Sequence, residues 1–169
     1  MILYIVRHAI AEQADPKAPQ DDSQRPLTEK GRMRMRQIAR GLKALEAEID
    51  LILTSPYLRA SDTARILAKQ YDLGKDQVIK SENLIPAGHL DLLINEISQN
   101  HGETGNLALV GHEPSLSSLI SMLVSGDPNM SVTLKKGGVC RLAVERLQYG
   151  RCANLDWLLT PAQLVEIGG

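Results

Sequence analysis

The chain has 169 residues, 43% of them hydrophobic and 23% charged, with a formal net charge of -1. That length fits a single domain over residues 1–169 that buries its core without disulfide or metal staples. The near-zero charge gives no general electrostatic case for nucleic acid or an anionic membrane as partner.

Ile2–Val6 opens the chain as a continuous apolar run, the pattern of a strand buried on both faces, and it ends in Arg7-His8. This N-terminus lacks a basic leader and a cleavage site, and no apolar run approaches the roughly 20 residues needed to span a bilayer. The expected location is therefore the cytoplasm. Cys140 and Cys152 are too few for a disulfide framework and read as free thiols, the alternative being a pair facing each other across a hairpin. Next comes a polar loop, Ala11–Pro26, with three prolines and three aspartates, long enough to be functional. Thr28 and Glu29 start a helix whose residues Met35, Ile38, Leu42 and Leu45 share one face. Asp50–Thr54 is a second strand, followed by Ser55-Pro56 and, just inside the next helix, Arg59. Ala60, Ala64, Leu67 and Tyr71 form that helix's stripe, with Gly74 read as its C-terminal cap. Val78–Lys80 is a short strand, and Leu90, Leu93, Ile94 and Ile97 mark a third helix.

Leu107–Val110 is another buried strand, ending in Gly111-His112-Glu113. Leu116, Leu119, Ile120 and Leu123 mark a fourth helix, with Pro114 suited to its first position. Val139–Val144 and Leu155–Leu159 read as late strands with Tyr149–Gly150 turning between them. Strand–helix alternation of this kind predicts an α/β fold: three layers, with a largely parallel central sheet and helices on both faces.

In such sheets ligands gather beyond the carboxyl ends of the strands. The best strands end there in Arg7-His8, in Ser55 with Arg59, and in His112-Glu113, so two histidines and two arginines converge on one rim. The combination suits phosphoryl transfer, in which positioning and charge compensation supply the rate. Arg7 and Arg59 offer forked donors matched to phosphate oxygens, and a neutral histidine is a competent nucleophile for phosphorus. The helix beginning near Pro114 is expected to aim its N-terminal amides at the same place. His89 and His101 have no partners at useful spacing, and Arg32–Arg40 scatters its basic residues around a helix. No histidine pair or Cys-His cluster has metal-site spacing, so no metal and no cofactor is expected. P-loop, dinucleotide and nucleophile-elbow motifs are absent from the sequence.

Val6-Arg7-His8-Ala9 resembles the opening signature of the histidine phosphatase superfamily. Arg25-Pro26-Leu27-Thr28-Glu29-Lys30-Gly31, then Ser55-Pro56-Tyr57-Leu58-Arg59-Ala60 with Thr63, and Val110-Gly111-His112 resemble its remaining landmarks, in the right order. The short chain looks most like the SixA-type phosphohistidine phosphatases. This resemblance implies a phosphoglycerate-mutase-like fold and a metal-independent phosphatase with His8 as nucleophile. It also implies a phosphate pocket of Arg7, Arg59 and His112, with Arg25 a further contact unless it merely pairs with Asp21 or Asp22. Ser55 and Glu113 are additional substrate-binding candidates; the family's proton-donating carboxylate is not obvious here, Glu113 and Glu82 being the candidates. Ala9 departs from the family's glycine. The implied substrate is phosphohistidine on a partner protein such as a phosphotransfer domain, in signal transduction. The alternatives are a phosphatase of small phosphate esters and a catalytically weak phosphate-binding module.

Overall fold

A computed structural model describes residues 1–14 and 21–169, so part of the Ala11–Pro26 loop lies outside the described residues. Its strands are β1 (Ile2–Arg7), β2 (Leu51–Thr54), β3 (Val78–Lys80), β4 (Asn106–Gly111), β5 (Val139–Val144) and β6 (Ala153–Leu159). They form one sheet in the order β3-β2-β4-β1-β5-β6. The first four strands in that order pair in parallel, while β5 runs antiparallel to β1 and β6 to β5. The helices are α1 (Glu29–Ala44), α2 (Leu58–Gln70), α3 (Leu90–Asn100), α4 (Ser115–Ser125) and α5 (Pro161–Ile167).

Alternation along the strands divides the core in two. Tyr4, Val6, Ile52, Ala108 and Val110 face α1, α2 and α5, packing on Met35, Ile38, Leu42, Ala64, Leu67 and Leu164. Leu3, Ile5, Leu53, Leu107 and Leu109 face the opposite way onto Leu93, Ile94, Ile97, Leu116, Leu119 and Leu123 of α3 and α4. Residues of both faces of β1 and β4 are buried, which is why these strands read as unbroken apolar runs. The arrangement is the three-layer, largely parallel α/β fold expected. Adjacent strands β1 and β4 send their following helices to opposite faces, and a crevice opens at their carboxyl ends.

Four local readings need correction. Leu45 leaves the apolar face: it caps α1 beyond its last residue and is 39% exposed. Gly74 does not close α2. The helix ends at Gln70 and Asp72 takes the left-handed conformation (φ 55), which a short polar side chain tolerates; Gly74, at φ -73, starts the next 3-10 turn. Pro114 stands at the N-cap of α4 rather than inside its first turn. The sequence reading also missed α5, although Thr160 and Gln163 form a capping box around Pro161, a legible start signal. The two thiols are free: Cys140 is buried opposite Leu158, and Cys152 lies outside the hairpin pairing. No helix of the described residues is long and apolar enough to cross a membrane.

Candidate active site

The rim at the ends of β1, β2 and β4 gathers Arg7, His8, Ser55, Arg59 and His112 as expected. The His8 and His112 rings lie 5.0 Å apart and tilted, and the Tyr57 ring stands edge-on to His112 at 5.3 Å. Both histidines are buried, at 6% and 2% exposure.

His8 Nδ1 lies 2.7 Å from the Ala9 carbonyl, which can only accept a hydrogen bond. Nδ1 must therefore carry the proton, and the neutral ring keeps its lone pair on Nε2. Burial, opposed by that hydrogen bond and aided by the charges of Arg59, Arg7 and Lys136, lowers the His8 pKa to about 4. His112 is pushed down to about 3 by burial and then by His8 and Arg59. At neutral pH both rings are uncharged. His112 Nε2 is 2.9 Å from Ser55 Oγ, which also accepts the Tyr57 amide at 3.3 Å. With the Ser55 hydroxyl donating to Nε2, the buried, unpartnered Nδ1 of His112 holds a proton to give.

The arginines are fixed by carbonyls and left with unspent donors. Arg7 donates from one terminal nitrogen to the Leu134 carbonyl at 2.9 Å, and its Nε is buried without a partner. Arg59, 3% exposed, donates to the Asp22 carbonyl at 2.7 Å and to Asp22 Oδ2 at 3.0 Å; its Nε too is buried and unpartnered. Arg7 Nε, Arg59 Nε and, in that tautomer, His112 Nδ1 are thus buried donors without a partner, the kind of group that an oxyanion can satisfy.

Asp22 was not among the sequence candidates. Its carboxylate bridges Arg59 and Arg25, whose Nε sits 2.7 Å from Oδ1. Burial alone would raise the Asp22 carboxyl, but hydrogen bonds from Arg25 and Arg59 outweigh it and hold the group below the ordinary aspartate range. Arg25 thus does pair with Asp22, and through it is linked to Arg59. Glu113 turns back on its own helix, accepting from the Ser117 amide at 3.0 Å and the Ser117 hydroxyl at 2.7 Å. Glu82 is exposed on a 3-10 turn after β3. The α4 amides do not serve an anion as expected. Those of Leu116, Ser117 and Ser118 are taken by His112 O, Glu113 and Pro114 O.

The family model for the histidine phosphatase superfamily (branch 1) matches residues 3–86. An uncharacterized protein of Picosynechococcus sp. (strain ATCC 27264 / PCC 7002 / PR-6) is 34% identical over 168 residues, covering 98% of this chain and 99% of that one. The chain belongs to the histidine phosphatase superfamily. It is also 28% identical to phosphohistidine phosphatase SixA of Escherichia coli (strain K12), over 97% of this chain and 96% of that protein. The structure of the protein histidine phosphatase SixA complexed with tungstate superposes with a TM-score of 0.79, at 25% identity, covering 97% of this chain and 99% of that one.

The superfamily landmarks have structural jobs here. Thr28 and Gly31 seat the loop after His8. The Thr28 amide donates to Ile10 O at 3.0 Å, and Gly31 packs so closely that a Cβ would overlap that carbonyl. Thr63 accepts the Ala9 amide at 3.1 Å and donates to Arg59 O at 2.7 Å, tying the loop after His8 to α2. Ala9 stands where the superfamily has glycine. It is absent from the positive-φ residues and buries its methyl in the core, so alanine fits without strain.

Proposed function

We propose that this SixA-like phosphatase dephosphorylates phosphohistidine on a partner protein through a phosphoryl group carried on His8, without a metal. The supporting observation is a pairing of features: a neutral His8 with its Nε2 lone pair free, and no carboxylate poised as a general acid among the described residues beside it. Glu113 is bound to Ser117, and Asp22 is held ionised by two arginines. In the first step His8 Nε2 attacks phosphorus and the P–N bond of the substrate breaks. The electron pair leaves with the substrate imidazole, which departs neutral when the ring's other nitrogen has been protonated beforehand. Water then attacks the phosphoryl group, returning the electron pair to Nε2 and its proton to solvent. Arg7 and Arg59 compensate the charge spread over the phosphoryl oxygens. The tungstate in the SixA structure, an oxyanion of phosphate shape, agrees with an anion pocket of this kind.

The test compares rates on a phosphohistidine protein with those on alkyl and aryl phosphates. Phosphohistidine should be fastest, aryl esters intermediate and alkyl esters slow, and Glu113→Gln should leave phosphohistidine hydrolysis within about threefold, far from the roughly 100-fold loss of a general acid. A wild type faster on alkyl esters, with a large Glu113→Gln defect confined to them, overturns the substrate assignment. Dialysis against a chelator should leave the rate unchanged; a loss restored by one divalent metal would contradict metal independence.

A further inference from the structure

We propose that Lys136 is a substrate-binding residue whose ammonium takes a phosphoryl oxygen on the flank of His8 opposite Arg59; the role rests on the His8 reading above. The sheet order supplies the geometry. Because β5 runs antiparallel to β1, its N-terminal end begins at the rim where the parallel strands finish. Along that rim β2 brings Arg59, β4 brings His112, β1 brings Arg7 and His8, and the turn before β5 brings Lys136.

That turn is fastened to the nucleophile strand. Arg7 donates from its amide to Gly138 O at 3.2 Å and from its guanidinium to Leu134 O at 2.9 Å. The Gly137 amide lies 3.0 Å from Arg7 O and 3.2 Å from His8 O. Gly138 N closes the turn on Lys135 O at 2.6 Å, and Gly137 takes φ +79, the left-handed state that the third residue of such a turn requires. Lys136 is therefore the corner residue of a rigid turn seated on His8. It is exposed, and none of the ion pairs among the described residues includes it. Its charge joins those of Arg59 and Arg7 in depressing the His8 imidazole.

The chemistry needs a donor on this side. A transferring phosphoryl group spreads charge over three oxygens, and the donors from β2 and β4 approach from one flank. An ammonium on a flexible stem at an open edge follows the group as it moves from the substrate nitrogen to Nε2, which the carbonyl-fixed forks cannot do.

The experiment compares Lys136→Met, Lys136→Arg and Lys135→Met in three measurements: kcat/KM on an aryl phosphate, inhibition by inorganic vanadate, and the NMR titration of the His8 ring. Lys136→Met should lower kcat/KM and vanadate affinity by about 10-fold each, less than the loss for a buried donor because the site is exposed. Its His8 midpoint should rise. Lys136→Arg should recover most of both losses, and Lys135→Met should stay within twofold. Lys136→Met within twofold of wild type, an equal loss in Lys135→Met, or a loss of aryl phosphate turnover with vanadate affinity unaffected would each overturn the assignment. Failure to find phosphate on His8 by mass spectrometry after a non-acidic quench would instead defeat the His8 reading, while vanadate affinity still reports on Lys136.

Discussion

Lowering the pH from 7.5 to 5 should destabilise the folded protein by several kcal/mol, with His8 and His112 responsible for most of the loss. In the unfolded chain each ring protonates near the ordinary value of 6.5; in the fold the values are about 4 and about 3. Below 6.5 the unfolded state therefore binds more protons than the native one, and stability falls as acid is added. The contribution is complete above pH 6.5 and declines through the window down to the folded values. At pH 5 protonation favours each unfolded ring by roughly 30-fold, about 2 kcal/mol, so the two rings together remove about 4 kcal/mol. That is a large share of the roughly 5–15 kcal/mol typical of a domain. Urea denaturation at pH 7.5 and pH 5, at constant ionic strength, measures it. The double variant His8→Gln, His112→Gln should lose far less over the same interval. A wild-type loss under about 1 kcal/mol, or an equal loss in the double variant, would refute the burial argument.

Three further outcomes follow from single contacts. Ser55→Ala strands His112 Nε2 in a buried site, so it should cost about 1–3 kcal/mol in urea denaturation and lower kcat by about 10-fold. Asp22→Asn removes the carboxylate that competes for Arg59, so inorganic vanadate should bind about threefold more tightly; weaker binding would mean that Asp22 serves to hold Arg59 in place. Gly31→Ala drives a methyl into the Ile10 carbonyl and should lower stability by about 1–3 kcal/mol, read as a fall in Tm.

The fold and the gathering of His8, His112, Arg7 and Arg59 on one rim were legible because they rest on continuous patterns. β1 and β4 are apolar throughout since both their faces are covered, and the residues at their ends form the candidate site. The helical stripes of α1 to α4 are equally periodic. Apart from α5, whose start signal is local, what escaped notice depends on contacts between segments distant in sequence. Asp22 lies in a loop with two other aspartates, and nothing in their spacing tells which one meets Arg59, 37 positions away. Lys136 sits before an antiparallel strand, and a strand's direction is not written in its hydrophobic pattern. The Lys135-Lys136-Gly137-Gly138 run was a turn signal that could have drawn attention to it. Glu113 was placed correctly beside His112, but a side chain's choice between the site and its own helix is decided by Ser117, a residue with no chemistry of its own.

That choice at Glu113 has a consequence for a cell. Sugar phosphates and other alkyl monoesters would, under the proposed reading, present to Arg7 and Arg59 the same dianion as a phosphorylated histidine. Under the proposed reading, an enzyme that lends no proton leaves the alkyl oxygen to depart as a strongly basic alkoxide, so metabolites bind and return to solution intact. A phosphorylated imidazole protonated on its other nitrogen departs neutral and is cleaved. On that reading Ser117, by engaging the carboxylate, would act as a chemical filter, sparing alkyl esters by reactivity where binding could not tell them apart.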